Sequence, residues 1–128
     1  MAIWGGSAGG QLAALAATDC SPAGDAGGES DCVQAAAIWF GVFDIPALSN
    51  SDLSYFAGQE AKASAVNFLD AADPPFLLVH GDNDHSVPVG QSREMFERLK
   101  AAGVKGSYAG AEPCTSVWIG ASFRRHVP

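Results

Sequence analysis

Basic residues are scarce in this chain: seven Lys and Arg stand against fourteen Asp and Glu, for a formal net charge of −7. A surface of that sign cannot neutralise a phosphate backbone, which excludes nucleic acid as a partner. The few cations gather between Arg93 and Lys105 and at Arg124-Arg125, with no stripe that interleaves them with aromatics. Long apolar runs are missing too. No segment approaches the roughly 20 residues of a membrane-spanning helix, and no signal peptide precedes the first apolar run. The chain as written is therefore expected to be cytoplasmic and without a membrane span. Histidine is limited to His80, His85 and His126, and cysteine to Cys20, Cys32 and Cys114. No pair among them has ligand spacing, so neither a metal nor a cofactor is expected. Cys20 and Cys32 bracket a loop rich in Gly, Ser and Pro, and two readings stay open: a staple of that loop in an exported parent protein, or two free thiols. Cys114 has no evident mate.

What is present points to one domain spanning 1–128. Apolar residues make up 48% of the chain and charged residues 16%, the balance of a folded protein with a modest core. Apolar strand signals alternate with helical ones. Residues 2–6 read as a strand and 8–18 as a helix of small residues; Val33 to Gly41 is a strand buried on both faces. A weak helix is expected over about 59–69. Asp73-Pro74-Pro75 then launches the strand Phe76-Leu77-Leu78-Val79-His80-Gly81. Met95, Phe96 and Leu99 mark an amphipathic helix from Gly90 to Ala102, capped by Gly103, and Val104 to Glu112 is a last, weak strand. This alternation is the pattern of an α/β domain with a parallel sheet of about four strands and helices between them.

Two segments carry chemistry. The first is Gly5-Gly6-Ser7-Ala8-Gly9-Gly10, a Gly-x-Ser-x-Gly turn set between a short apolar strand and a helix. That context places a serine in a strained backbone at a helix N-terminus, where free N–H groups stabilise an oxyanion; its neighbours Gly5 and Gly9 are expected to be small because the turn is tight. The blander alternative is a Gly-rich phosphate-binding turn. It is weakened by the absence of a Lys-Ser/Thr pair and of any Gly-x-Gly-x-x-Gly. The second segment is His80-Gly81-Asp82-Asn83-Asp84-His85-Ser86-Val87-Pro88. An acid in the turn after a parallel strand lies where α/β sheets place their sites, with Asp84 the better candidate and Asp82 the alternative. Either acid can equally serve the turn alone through Asx hydrogen bonds.

Together, Ile3 to Ala13, Val33 to Asp44, Asp73 to Asp84 and Val87 to Ser92 resemble the α/β-hydrolase fold, and more narrowly the acetyl-xylan/feruloyl and hormone-sensitive-lipase-like carboxylesterases. The resemblance covers residues 1 to about 104, the C-terminal half of such a domain, and so implies a truncated α/β-hydrolase fold. It implies Ser7 as nucleophile, Asp84 as triad acid and the Ala8 N–H as one oxyanion donor. The family's histidine follows the last strand, and there this chain has Ser116, ahead of Trp118-Ile119-Gly120. A serine cannot serve as general base. His126, ten residues further on, is the remaining candidate, since a chain extending ~3.3 Å per residue can fold back that far. His80 reads as a packed structural residue and His85 as a solvated turn residue.

The resemblance also implies that four strands, two helices and an oxyanion loop are absent ahead of Ser7. The remaining helices should then cover one face of the sheet only, with strand 2–6 as an open edge, which predicts a homo-oligomer formed through the bare face or edge. The implied activity is hydrolysis of small-acyl carboxylic esters through an acyl-enzyme. The rivals are an inactive hydrolase-like fragment or interaction module, and a peptidase or dienelactone-hydrolase-like enzyme on the same fold.

Overall fold

The computed structural model describes residues 1–22, 28–48, 53–111 and 124–126. Five strands form one sheet in sequence order: β1 (Ala2–Gly6), β2 (Ala35–Trp39), β3 (Phe76–Gly81), β4 (Gly106–Ala111) and β5 (Arg124–His126). The first four run parallel and β5 runs antiparallel to β4. Two α-helices make crossovers, α1 (Ala8–Thr18) between β1 and β2 and α2 (Gly90–Ala102) between β3 and β4. Four parallel strands with intervening helices are what the alternation implied. The antiparallel fifth strand was not foreseen: Arg124-Arg125-His126 has no strand signal of its own and is defined by its ladder to β4.

Both helices pack on the same face. Ala13, Ala14 and Ala17 of α1 and Met95 and Leu99 of α2 join Ala36, Ile38, Phe76 and Leu78 of the central strands in one core cluster. The small side chains of α1 allow close approach. A Cβ on Gly10 would lie 2.9 Å from Ile38 Cγ2 and 3.1 Å from the Gly41 Cα, so glycine is required there. At its far end α2 closes on Gly103, at φ 81°, whose N–H donates to the Lys100 carbonyl at 3.0 Å. Its outer face carries Arg98–Glu94 and Lys100–Glu97 ion pairs at 2.7 and 3.3 Å.

Among the described residues, nothing covers the opposite face of the sheet. Trp4 is 76% exposed and Leu77 40%, and Trp4 meets Trp39 edge-on at 6.0 Å. An open groove of about 580 Å³ runs there between Trp4, Ala37, Trp39 and Leu77. β1 is the outermost of the described strands on one side of the sheet.

Between β2 and β3 the expected helix over 59–69 is not formed. Two short 3₁₀ turns, Leu53–Phe56 and Ala65–Asn67, occupy that connection instead. Local side-chain bonds replace helical ones, for Ser64 Oγ donates to the Glu60 carbonyl at 2.7 Å and accepts the Ile45 N–H at 2.9 Å. Cys20 and Cys32 are joined in a disulfide, so they are not free thiols. Cys114 and Ser116 lie outside the described residues.

Candidate active site

The turn between β1 and α1 forces its serine into a conformation that side chains avoid. Ser7 sits at φ 53°, ψ −124°, its N–H donating to the Trp39 carbonyl at 3.0 Å and its carbonyl accepting the Gln11 N–H at 3.0 Å. Those two bonds anchor the residue on β2 and on the first turn of the helix, which offsets the strain. The side chain is exposed. It does not cap the helix. Ala8 opens α1, a position whose N–H has no acceptor within the helix. The strain continues on the neighbouring strand, where Phe40, just past β2, has φ 39° and packs its ring against Gly6.

The two motif glycines differ in their reasons. A Cβ on Gly5 would lie 2.3 Å from the Gly9 carbonyl oxygen, closer than any real contact. A Cβ on Gly9 would meet nothing within 4 Å. The expectation that both must be small therefore holds for Gly5 alone: the turn brings the Gly9 backbone, not its α-hydrogens, against Gly5.

The second segment folds as a turn at the end of β3. Asp84 Oδ1 accepts the N–H groups of Ser86 at 2.8 Å and Val87 at 2.9 Å. Its other oxygen lies 3.8 Å from His80 Nε2, beyond hydrogen-bond length. Asp82 is differently engaged, with Oδ1 accepting from Arg93 Nη2 of α2 at 3.1 Å. Beside that pair the Tyr108 hydroxyl is buried, and burial pushes its pKa up.

Ser7 and Asp84 thus stand at the same, carboxyl end of the sheet, one beyond β1 and the other beyond β3. With one strand between them, the lateral separation of their strands is about 10 Å. An imidazole that accepts from a serine and donates to a carboxylate fits a gap of that order.

None of the three histidines lies in it. His80 is fully buried under α2, with both ring nitrogens engaged, as its reading as a packed residue expected. His85 is exposed on the turn. β5 places His126 opposite Tyr108, on the far edge of the sheet and four strands from β1. Four strand spacings put β5 about 19 Å sideways from β1. Residues 124–126 thus pair with β4 on the side away from Ser7.

Two further residues near the site gave little signal in the sequence. The buried Gln91 side chain accepts the N–H groups of Phe43 and Asp44 at 2.8 and 2.9 Å and donates to the Asp44 carbonyl at 2.8 Å, so it clamps the loop after β2. Ser92 Oγ meets His80 Nδ1 at 2.7 Å. Both open α2 directly after Val87-Pro88-Val89, where two buried polar residues on a core-facing turn are the one available hint.

A family model described as BD-FAE matches residues 1–99. The chain belongs to the BD-FAE family. Esterase LipQ of Mycobacterium tuberculosis (strain ATCC 25618 / H37Rv) is 38% identical to this BD-FAE chain over 119 residues, which cover 79% of the chain and 28% of that protein. Among solved structures, a truncated form of a carbohydrate esterase from gut microbiota superposes with a TM-score of 0.75 at 26% identity, over 85% of this chain and 50% of that one. Esterase 2 of Thermogutta terrifontis in its apo form gives 0.74 at 25% identity, over 88% and 44%. The BD-FAE chain thus has the α/β-hydrolase fold of carboxylesterases and spans half or less of the length of these relatives. Among the described residues, no helix is long and apolar enough to cross a membrane.

Proposed function

We propose that this chain contributes the nucleophile and the orienting acid of a serine ester hydrolase acting on small acyl groups. Ser7 Oγ attacks the ester carbonyl, the Ala8 N–H donates a hydrogen bond to the developing oxyanion, and an imidazole takes the serine proton with Asp84 behind it. The alcohol leaves on that proton, and water then hydrolyses the acyl-enzyme. The observation that carries this reading is the strained Ser7 at a helix N-terminus, with a backbone-anchored carboxylate two strands away. The names of the similar proteins, esterases, favour ester chemistry over a peptidase or dienelactone-hydrolase reading. His126 serves as the imidazole only if the three residues of β5 leave β4. Fluorophosphonate labelling and p-nitrophenyl acetate turnover test the assignment: both are lost in Ser7→Ala, and turnover in His126→Ala separates that histidine from any other base.

One observation favours a second reading, that of an inactive hydrolase-like fragment: no histidine stands between Ser7 and Asp84. Absence of labelling on the intact folded chain would establish it.

The bare sheet face favours a second copy of the chain as partner. Trp4, Trp39, Ala37 and Leu77 are uncharged, so two copies each carrying −7 meet there without opposing charges. β1 is an edge without Lys, Pro or a bulge to block pairing.

A further inference from the structure

We propose that His80 is a positioning residue that sets the Asp84 carboxylate, acting as a fixed, neutral Nε2–H tautomer. This rests on the reading of Asp84 as the acid of the site. His80 is the penultimate residue of β3, under the first turn of α2, with no exposed surface. Its Nε2 lies 2.9 Å from the Val87 carbonyl, which can only accept, so Nε2 carries the proton. Nδ1 is then the lone-pair nitrogen, and the Ser92 hydroxyl donates to it at 2.7 Å. One ring thus ties the strand end, the last residue of the turn and the opening of α2 together.

The consequence for Asp84 follows from the turn itself. Val87 is held from two sides: its carbonyl by His80 and its N–H by Asp84 Oδ1. The two groups flank the Val87 Cα, so holding the carbonyl restrains the residue whose N–H is one of the two that aim the carboxylate, and Ser86 N–H supplies the other. His80 Nε2 does not bond to Asp84 Oδ2, at 3.8 Å, which leaves that oxygen able to accept from an imidazole in the site. A second proton on the ring would remove the acceptor for the Ser92 hydroxyl. The charged groups facing the ring are Asp84 and Asp82 from the turn and Arg93 from α2, and desolvation outweighs the two carboxylates in lowering its pKa.

The test uses the intact chain labelled with ¹⁵N and needs no enzymatic turnover, so its failure is distinct from failure of Ser7 to react with a fluorophosphonate. Long-range ¹H–¹⁵N correlation should show His80 as the Nε2–H tautomer, with Nδ1 unprotonated. In His80→Ala, exchange of the Ser86 and Val87 amides should quicken about tenfold relative to amides of β2, the effect of one lost hydrogen bond. His80→Gln, whose side-chain amide can donate to the Val87 carbonyl, should restore most of that protection. An Nδ1–H tautomer in the parent chain overturns the proposal even if His80→Ala fails to fold. Unchanged Ser86 and Val87 exchange in a folded His80→Ala overturns it as well.

Discussion

Replacing Gly5 by alanine should break the turn that holds Ser7, whereas the same change at Gly9 should strengthen the chain. At Gly5 the new Cβ would stand 2.3 Å from the Gly9 oxygen and 2.6 Å from the Gly9 carbonyl carbon. Ordinary contact begins about 1 Å further out, and both atoms are backbone, so relief requires moving the first turn of α1. Overpacking of this kind costs about 1–3 kcal/mol, and a backbone obstacle puts Gly5→Ala at about 3 kcal/mol. At Gly9 nothing lies within 4 Å and the residue is helical, so alanine gains about 0.5–1 kcal/mol by reducing the freedom of the unfolded chain. Urea unfolding followed at 222 nm reads both. With a slope of about 1.5 kcal/mol per molar, the midpoint falls by roughly 2 M in Gly5→Ala and rises by roughly 0.5 M in Gly9→Ala. Equal midpoints for parent and Gly5→Ala, or destabilisation by Gly9→Ala, would refute the account of the turn.

Other outcomes follow from the same structure. Burial lowers the His80 pKa from 6.5, so the folded state holds fewer protons on this ring than the unfolded state. Its stabilising effect is complete above 6.5 and declines as pH falls through that value, until the native pKa is passed; urea midpoints between about pH 7.5 and 5.5 should drop less in His80→Gln than in the parent. The Cys20–Cys32 disulfide closes a loop of sequence separation 12, so reduction should cost about 3 kcal/mol in the loop-entropy account, measured as a midpoint shift with and without reductant. Sedimentation should show a dimer, and Trp4→Lys, which charges the bare face, should return it to monomer; a monomeric parent chain removes the proposed pairing.

Much of the fold was legible because its signals are local. The Gly-x-Ser-x-Gly turn, the proline-led strand at Phe76 and the Gly103 cap each declare a boundary within a few residues. Even the one-sided helix packing followed once the family resemblance was drawn. What escaped depends on distant partners. The 3₁₀ turns around Ser64 are shaped by its bond to Ile45, and β5 exists only against β4. His126 was within reach of Ser7 by chain length, but length does not say which edge a tail will pair with. The Gln91 clamp and the Ser92–His80 pair link residues 12 to 48 positions apart, and no periodicity reports such contacts. Gly9 shows the reverse case, a motif position whose stated reason the packing does not supply.

The central claim is that Ser7 is a reactive nucleophile, and one measurement addresses it most directly. The intact chain is treated with a fluorophosphonate at neutral pH and the adduct is mapped by peptide mass spectrometry. The account predicts a single covalent adduct on the peptide containing Ser7, absent from Ser7→Ala. A folded chain that takes no adduct, or takes it equally after Ser7→Ala, contradicts it.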